Sequence, residues 1–245
     1  MAAVLEATRG PERSERRFFT GMALAILVVA FVGFSRSFFL RPLFPDWPAP
    51  AEPIFYVHGV AFAAWVALFV VQTSLVAADR RELHRTIGAF GALLATAMVV
   101  LGTLGGLVAA KRATGFVGIP IPPLQFLVIP IFDMVLFAAF VGLGVAQRRQ
   151  AQHHKRWMAL ATMVLLPAAI ARWPGMDAYG PLGFFGLADL FVVALAAWDF
   201  RSTGRLHRVT IVGGLLFILS QPLRLVVSGT EGWLAFARWA TGLIG

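Results

Sequence analysis

Residues 58–88 read HGVAFAAWVALFVVQTSLVAADRRELHRTIG. An apolar run long enough to cross hydrocarbon gives way to a short charged turn, and a second apolar run begins. Two such runs joined so closely predict a helical hairpin in a membrane, since a spanning segment must satisfy its backbone internally. His58, Trp65, Gln72 and Asp79 recur every seven residues. Seven residues is almost two helical turns, so the four share one narrow face. Histidine and glutamine gain nothing from facing lipid, so the stripe faces other helices or a cavity.

The same pattern extends outward from this hairpin. Of the 245 residues 59% are hydrophobic and only 13% charged, about half the charged share of an ordinary soluble domain. Seven apolar runs use most of the chain, at about 18–40, 54–78, 86–110, 121–146, 157–172, 182–199 and 209–227. The fold expected is an all-α bundle of seven transmembrane helices in one domain, residues 18–228. Residues 1–17 read as a short, mobile, basic cytoplasmic tail. Residues 229–245, with Trp233, Phe236 and Trp239, read as an amphipathic segment lying in the interface. The first apolar run is too long for a signal-peptide core, although Ala49-Pro50-Ala51 imitates a cleavage site, so it is read as a retained helix. The third run carries Gly88, Gly91, Gly102, Gly105 and Gly106; small residues allow close approach, and this helix is expected at the centre. Pro122, Pro123 and Pro130 predict a kink in the fourth.

The net charge is +9, but the basic residues sit in short turns rather than in a stripe that could track phosphates, so no nucleic-acid partner is expected. The tail and the turns at 79–85, 147–156 and 201–208 hold 14 of the 21 Lys and Arg residues. By the positive-inside rule the N-terminus is cytoplasmic and the C-terminus outside, in a bacterial inner membrane or its equivalent. The absence of cysteine excludes disulfides, thiolate metal sites and Cys nucleophiles within the chain.

Two constellations carry possible chemistry. His58, Asp133, Asp189, Arg36, Arg172 and Arg224 fall by depth in the outer half of the bilayer, with Gln221 one turn deeper than Arg224. Ionised groups there need partners, and Arg172 or Arg224 with Asp189 or Asp133 are the expected pairs. One reading is an outward-facing polar pocket formed by His58, Trp65, Gln72, Asp133, Arg172, Asp189, Gln221 and Arg224, which binds a small apolar or anionic ligand such as a lipid or quinone. The other is a set of ion pairs that fix helix register. The second constellation is His84, His153, His154 and His207 at the cytoplasmic interface. Imidazoles from two helices can hold haem iron, so His84, His154 and His207 are the ligand candidates for haem b in an alternative redox reading. His58 cannot share a haem with His84, because 26 residues of helix span about 39 Å. Each His-basic pair also reads simply as an interfacial anchor. A zinc site is not expected, since only His58 lies inside the membrane and no H-x-x-x-H or H-E-x-x-H occurs. A transporter or proton channel is a third reading.

The turns repeat weakly. His84-Arg85, His154-Lys155 and His207-Arg208 each lead into a helix, and His58, Asp133 and Asp189 each mark the helix before. A triplicated hairpin would give this pattern; short basic turns also resemble one another without it.

In H-G-x-x-F-x-x-W-x6-Q from His58 to Gln72, R-x-x-H-R-x-x-G from Arg81 to Gly88 and H-K-R-x-M-x-L-A from His154 to Ala161, the chain resembles uncharacterised bacterial multi-spanning membrane proteins over about residues 20–228. The resemblance implies the architecture and a role for His58, Gln72, His84 and His154. It supplies no reaction.

Overall fold

The computed structural model describes residues 2–47, 52–116 and 119–244, with side chains from residue 13 onward. The Ala49-Pro50-Ala51 stretch lies outside the described residues. Among those described, every regular element is helical. The helices are α1 (Ala2–Phe34), which runs into a π-helical turn (Ser35–Phe39), α2 (Pro53–Ala77), α3 (Arg81–Lys111), α4 (Pro123–Phe126), α5 (Val128–Ala146), α6 (Ala151–Met163), α7 (Leu166–Ile170), α8 (Gly180–Thr203), α9 (Arg208–Val227) and α10 (Glu231–Gly242). Among the described residues, six stretches are long and apolar enough to cross a membrane: Arg13–Phe39, Pro53–Ala77, Arg81–Lys111, Pro123–Ala146, Gly180–Thr203 and Arg208–Val227. The basic N-terminal stretch expected as a mobile tail is helical from Ala2 and continuous with the first of them.

The fifth apolar run differs from the single helix expected at 157–172. It forms α6 and α7 with a break at Val164–Leu165, and α6 already begins at Ala151. Pro167 accounts for the break. Its ring collides with the carbonyl four residues back and offers it no N–H, and that residue is Met163, where α6 ends. The same rule explains the break before α5, since Pro130 stands four residues after Phe126, the last residue of α4. Neither α6 nor α7 alone has the length of a spanning helix.

The broken segment is nevertheless the centre of the molecule. Around it the other helices form a ring: α1 packs on α2, α2 on α3, α3 on α5, α5 on α9, α9 on α8, and α8 on α1. Inside the ring α6 touches α1, α5, α8 and α9, while α7 touches α1 and α8. Residues Ala159 to Val164 are 0% exposed. The segment runs alongside α1 from end to end. Lys155 is ion-paired with Glu15, Trp173 Nε1 donates to the Val29 carbonyl at 3.5 Å, and Gly33 rests on the backbone of Ala169.

The glycine-rich α3 therefore belongs to the ring and not to the centre. Its outer face exposes Phe90 at 69% and Leu93 at 70%, surface suited to lipid. Its glycines do provide close approach: Gly91 meets Leu68 of α2, Gly102 meets Met134 of α5, and Gly105 lies beside His58. The C-terminal α10 packs Trp233, Ala237 and Ala240 against Leu107, Ala110, Leu127 and Val128, with Trp233 Nε1 donating to the Leu124 carbonyl at 2.8 Å. Its other face exposes Phe236 and Trp239.

The contact of Gly33 with Ala169 gives a direct test. A Cβ on Gly33 would overlap the Ala169 carbonyl, whereas a Cβ on Gly142 of α5 would meet nothing within 4 Å. Gly33→Ala should lower the detergent-solubilised Tm, by about 1–3 kcal/mol of overpacking. Gly142→Ala should hold or raise it, because alanine favours a helix by about 1 kcal/mol over glycine. Equal Tm values for the two variants would refute the α1–α7 packing.

Candidate functional site

The polar residues fall into two layers, one near each end of the bundle. The inner layer is built where α3 and α6 begin. His84 is the fourth residue of α3 and His154 the fourth of α6, and their ring centroids lie 6.1 Å apart with planes at 86°. The His154 ring is anchored to a backbone: its Nδ1 lies 2.8 Å from the Gly144 carbonyl of α5, so it carries the proton and donates there. His84 has an Nδ1 that is buried without a partner. Beside them Gln72 is buried with both amide atoms unpaired, close to Gly88. The antiparallel pairing of α2 with α3 makes this possible, because it brings the last turns of α2 beside the first turn of α3.

His207 stands apart from this pair. It caps α9, its Nδ1 accepting from Val209 N–H at 3.2 Å, and its ring lies 5.0 Å from that of His153. Of the three histidines proposed as haem ligands, the structure thus brings His84 and His154 together and places His207 with His153.

A second inner feature escaped the sequence. Arg156 and Asp199 form a fully buried ion pair, with Arg156 Nη2 donating at 2.5 Å and Nε at 3.0 Å to Asp199 Oδ1. Arg156 Nη1 also donates to Gln152, and Asp199 Oδ2 accepts from Thr210 Oγ1 at 2.5 Å and His207 N–H at 3.2 Å. Every strong donor and acceptor of the pair has a partner, as burial demands. Arg156 reads in sequence as one more basic turn residue, and Asp199 as the end of a span; only the ring packing joins them.

The outer layer is mostly closed on itself. Arg224 Nη1 donates to Asp133 Oδ1 at 2.5 Å and Nη2 to Ser220 Oγ at 3.2 Å. Its guanidinium lies 5.9 Å from the rings of both Phe132 and Phe185. Gln221 Nε2 donates to Asp189 Oδ1 at 2.7 Å. Of the pairings expected, Arg224–Asp133 forms. Arg172 pairs with neither aspartate; it donates to the Ala168 carbonyl and lies 4.8 Å over the Phe34 ring.

The residues of the His58 stripe go to different places. His58 stacks on Phe62 at 4.0 Å and has a buried unpaired Nδ1. Trp65 is 3% exposed and its Nε1 donates to Thr162 Oγ1 of the central segment at 3.3 Å. Gln72 belongs to the inner layer. Asp79 lies beyond the end of α2 at φ 59°, 68% exposed, where it bridges Arg16 and Arg81. At the outer rim Arg112 donates to Glu52 and lies 4.2 Å over Phe55, tying the end of α3 to the start of α2; that guanidinium holds the Glu52 carboxyl below the usual range. Neither partner was legible as a site residue.

Comparison with family models, with curated proteins and with solved structures returns no match.

Two outcomes are expected. Removing the guanidinium by Arg224→Ala strands Asp133 and should cost about 3–5 kcal/mol, whereas the double variant Asp133→Leu/Arg224→Met should recover most of it; thermal unfolding of both decides. His207 has its pKa lowered from 6.5, first by burial and then by Arg156. The folded form therefore binds the proton less readily than the unfolded chain. Its contribution to stability is complete above the ordinary value and is lost as pH falls through the lowered one. His207→Asn keeps a capping side chain and should flatten the fall in Tm measured from pH 8 down to pH 5.

Proposed function

We propose that this chain is a seven-crossing redox protein of a bacterial inner membrane that holds a b-type haem between His84 and His154. The observation that carries the reading is the pairing of the two rings. With their centroids 6.1 Å apart, imidazoles from two different helices stand near enough that both would hold one iron. His154 has its Nδ1 on the Gly144 carbonyl, the kind of hydrogen bond that fixes tautomer and orientation in metal-ligating histidines. Among the described residues no three His, Asp or Glu side chains gather to hold a bare ion. Two imidazoles suffice for haem iron, whose macrocycle supplies the other ligands. When bound, haem would supply one-electron exchange. His84 and His154 would ligate it, and the Gln72 amide offers an adjacent donor and acceptor.

Seven crossings are supported by the course of α6–α7, which keeps pace with α1 between the Glu15–Lys155 and Gly33–Ala169 contacts. The distribution of arginine and lysine supports a cytoplasmic N-terminus and an outside C-terminus.

One observation favours a second reading, in which a small lipid or quinone binds in the outer layer: the buried, unpaired Nδ1 of His58, which lies 3.7 Å from where a Cβ on Gly105 would stand.

A reduced-minus-oxidised visible spectrum of detergent-purified protein, expressed with adequate haem supply, separates the two. A Soret band with split α and β bands is expected. His84→Ala and His154→Ala should each abolish it, and His207→Ala should leave it intact. A featureless spectrum from well-folded protein would sink the haem reading and direct attention to lipids or quinones retained by wild type and lost from His58→Ala.

A further inference from the structure

Two clefts flank the first turns of the α1 span, and neither belongs to the histidine layer. One, of about 660 Å³, lies between α1 and the end of α2 and is lined by Arg13, Arg16, Arg17, Thr20, Leu24 and Ala77, among others. The other, of about 400 Å³, lies between α1 and α8 and is apolar apart from Arg17, with Met22, Ala25, Leu190 and Phe191 in its walls. Arg17 and Gly21 line both. They stand one turn apart on the ridge between the clefts, and at Gly21 the ridge is bare: a Cβ there would meet nothing within 4 Å. The two clefts thus join beneath one arginine.

Their chemistry changes along the helix. Arg13 begins the first candidate span and Ala77 ends the second, so the arginines stand at the level of lipid headgroups and Leu24 and Met22 at the level of acyl chains. Arg13 and Arg17 are exposed. Among the described residues the acid in the lining is Asp79, which bridges Arg16 and Arg81. Thr20, one turn deeper than Arg16, has a buried hydroxyl without a hydrogen-bond partner. Positive charge above, an unsatisfied hydroxyl below it and two adjoining clefts whose deeper walls are apolar match a molecule with a phosphate head and two hydrocarbon tails.

We propose that this surface binds one anionic glycerophospholipid, its phosphate between Arg13 and Arg17 and its two acyl chains straddling α1 at Gly21. Charge complementarity selects an anionic headgroup over a zwitterionic one, since arginines near the membrane surface attract anionic lipid.

Native mass spectrometry of the detergent-purified full chain, supplied with phosphatidylglycerol or phosphatidylcholine, tests this. One phosphatidylglycerol should be retained in preference to phosphatidylcholine. Arg13→Gln/Arg17→Gln should reduce that retention at least tenfold while leaving Tm within a few degrees. Gly21→Phe, which fills the junction of the clefts and touches no charge, should reduce it as well, and it decides the matter if the arginine variant unfolds. Equal retention of the two lipids, or full retention by both variants, would overturn the proposal. So would displacement of the lipid by excess inorganic phosphate alone, which would mark a free-anion site without acyl grooves. The outcome is independent of the visible spectrum that tests the haem reading.

Discussion

No water reaches the middle of a bilayer, so a polar segment can cross it only inside a sheath of other helices. That constraint bears on residues 151–170, which the other helices enclose. The segment is short, broken by proline, and led by two histidines, a lysine and an arginine. Alone in lipid it would expose the carbonyls freed at Met163 and an ionised Arg156. Inside the ring, the helices supply what it lacks. Asp199 of α8 neutralises Arg156, Glu15 of α1 meets Lys155, and Trp65 of α2 reaches Thr162. Gly213 of α9 makes room for Leu160 and Trp157. The lipid-facing helices can then be nearly featureless, because the specificity of assembly resides in what they present inward.

That division of labour explains what could and could not be read from the chain. Long apolar runs are properties of single helices, and they predict six spanning stretches within a few residues of where the structure has them. The fifth run was recognised by its apolar residues, but its break and its place at the centre were not. Burial at the centre is decided by neighbours, and glycine content pointed to α3 because small residues serve a ring contact as well as an axial one. The site was partly legible for a similar reason. The Asp133–Arg224 pair is one of four that burial cost suggests, since an aspartate and an arginine at similar depth offset each other's desolvation. Arg156–Asp199 did not follow, because each looks like a residue at a membrane end until α6 is seen to start within the bundle. Arg172 shows the converse: an aromatic ring and a nearby carbonyl sufficed where an aspartate was expected.

The polar groups also divide by how completely they are satisfied. Arg224 of α9 keeps a buried Nε without a partner, but between α6 and α8 Arg156 and Asp199 form a closed set that uses nearly every donor and acceptor they have. Closed sets of this kind fix helix register, and little is left over for a ligand. The α2–α3 hairpin is different. His58 Nδ1, both amide atoms of Gln72 and His84 Nδ1 are all buried there without partners.

An unpaired polar atom in a low-dielectric interior costs about 1–3 kcal/mol, and the hairpin carries several in places where its own packing offers small residues instead of partners. Gly88 stands opposite Gln72 and Gly105 opposite His58. A serine at either position would answer the need within the fold. Glycine leaves space and leaves the polar atoms open, which is costly for a purely structural hairpin and expected for one that meets a bound group. The two histidines lie near opposite ends of the same helix pair, His58 beside Gly105 and His84 in the first turn of α3. The inner one faces a second histidine and the outer one does not. Ligation by a pair of imidazoles is therefore available only at the inner end, and at the outer end His58 is left with the chemistry of a single hydrogen-bonding group.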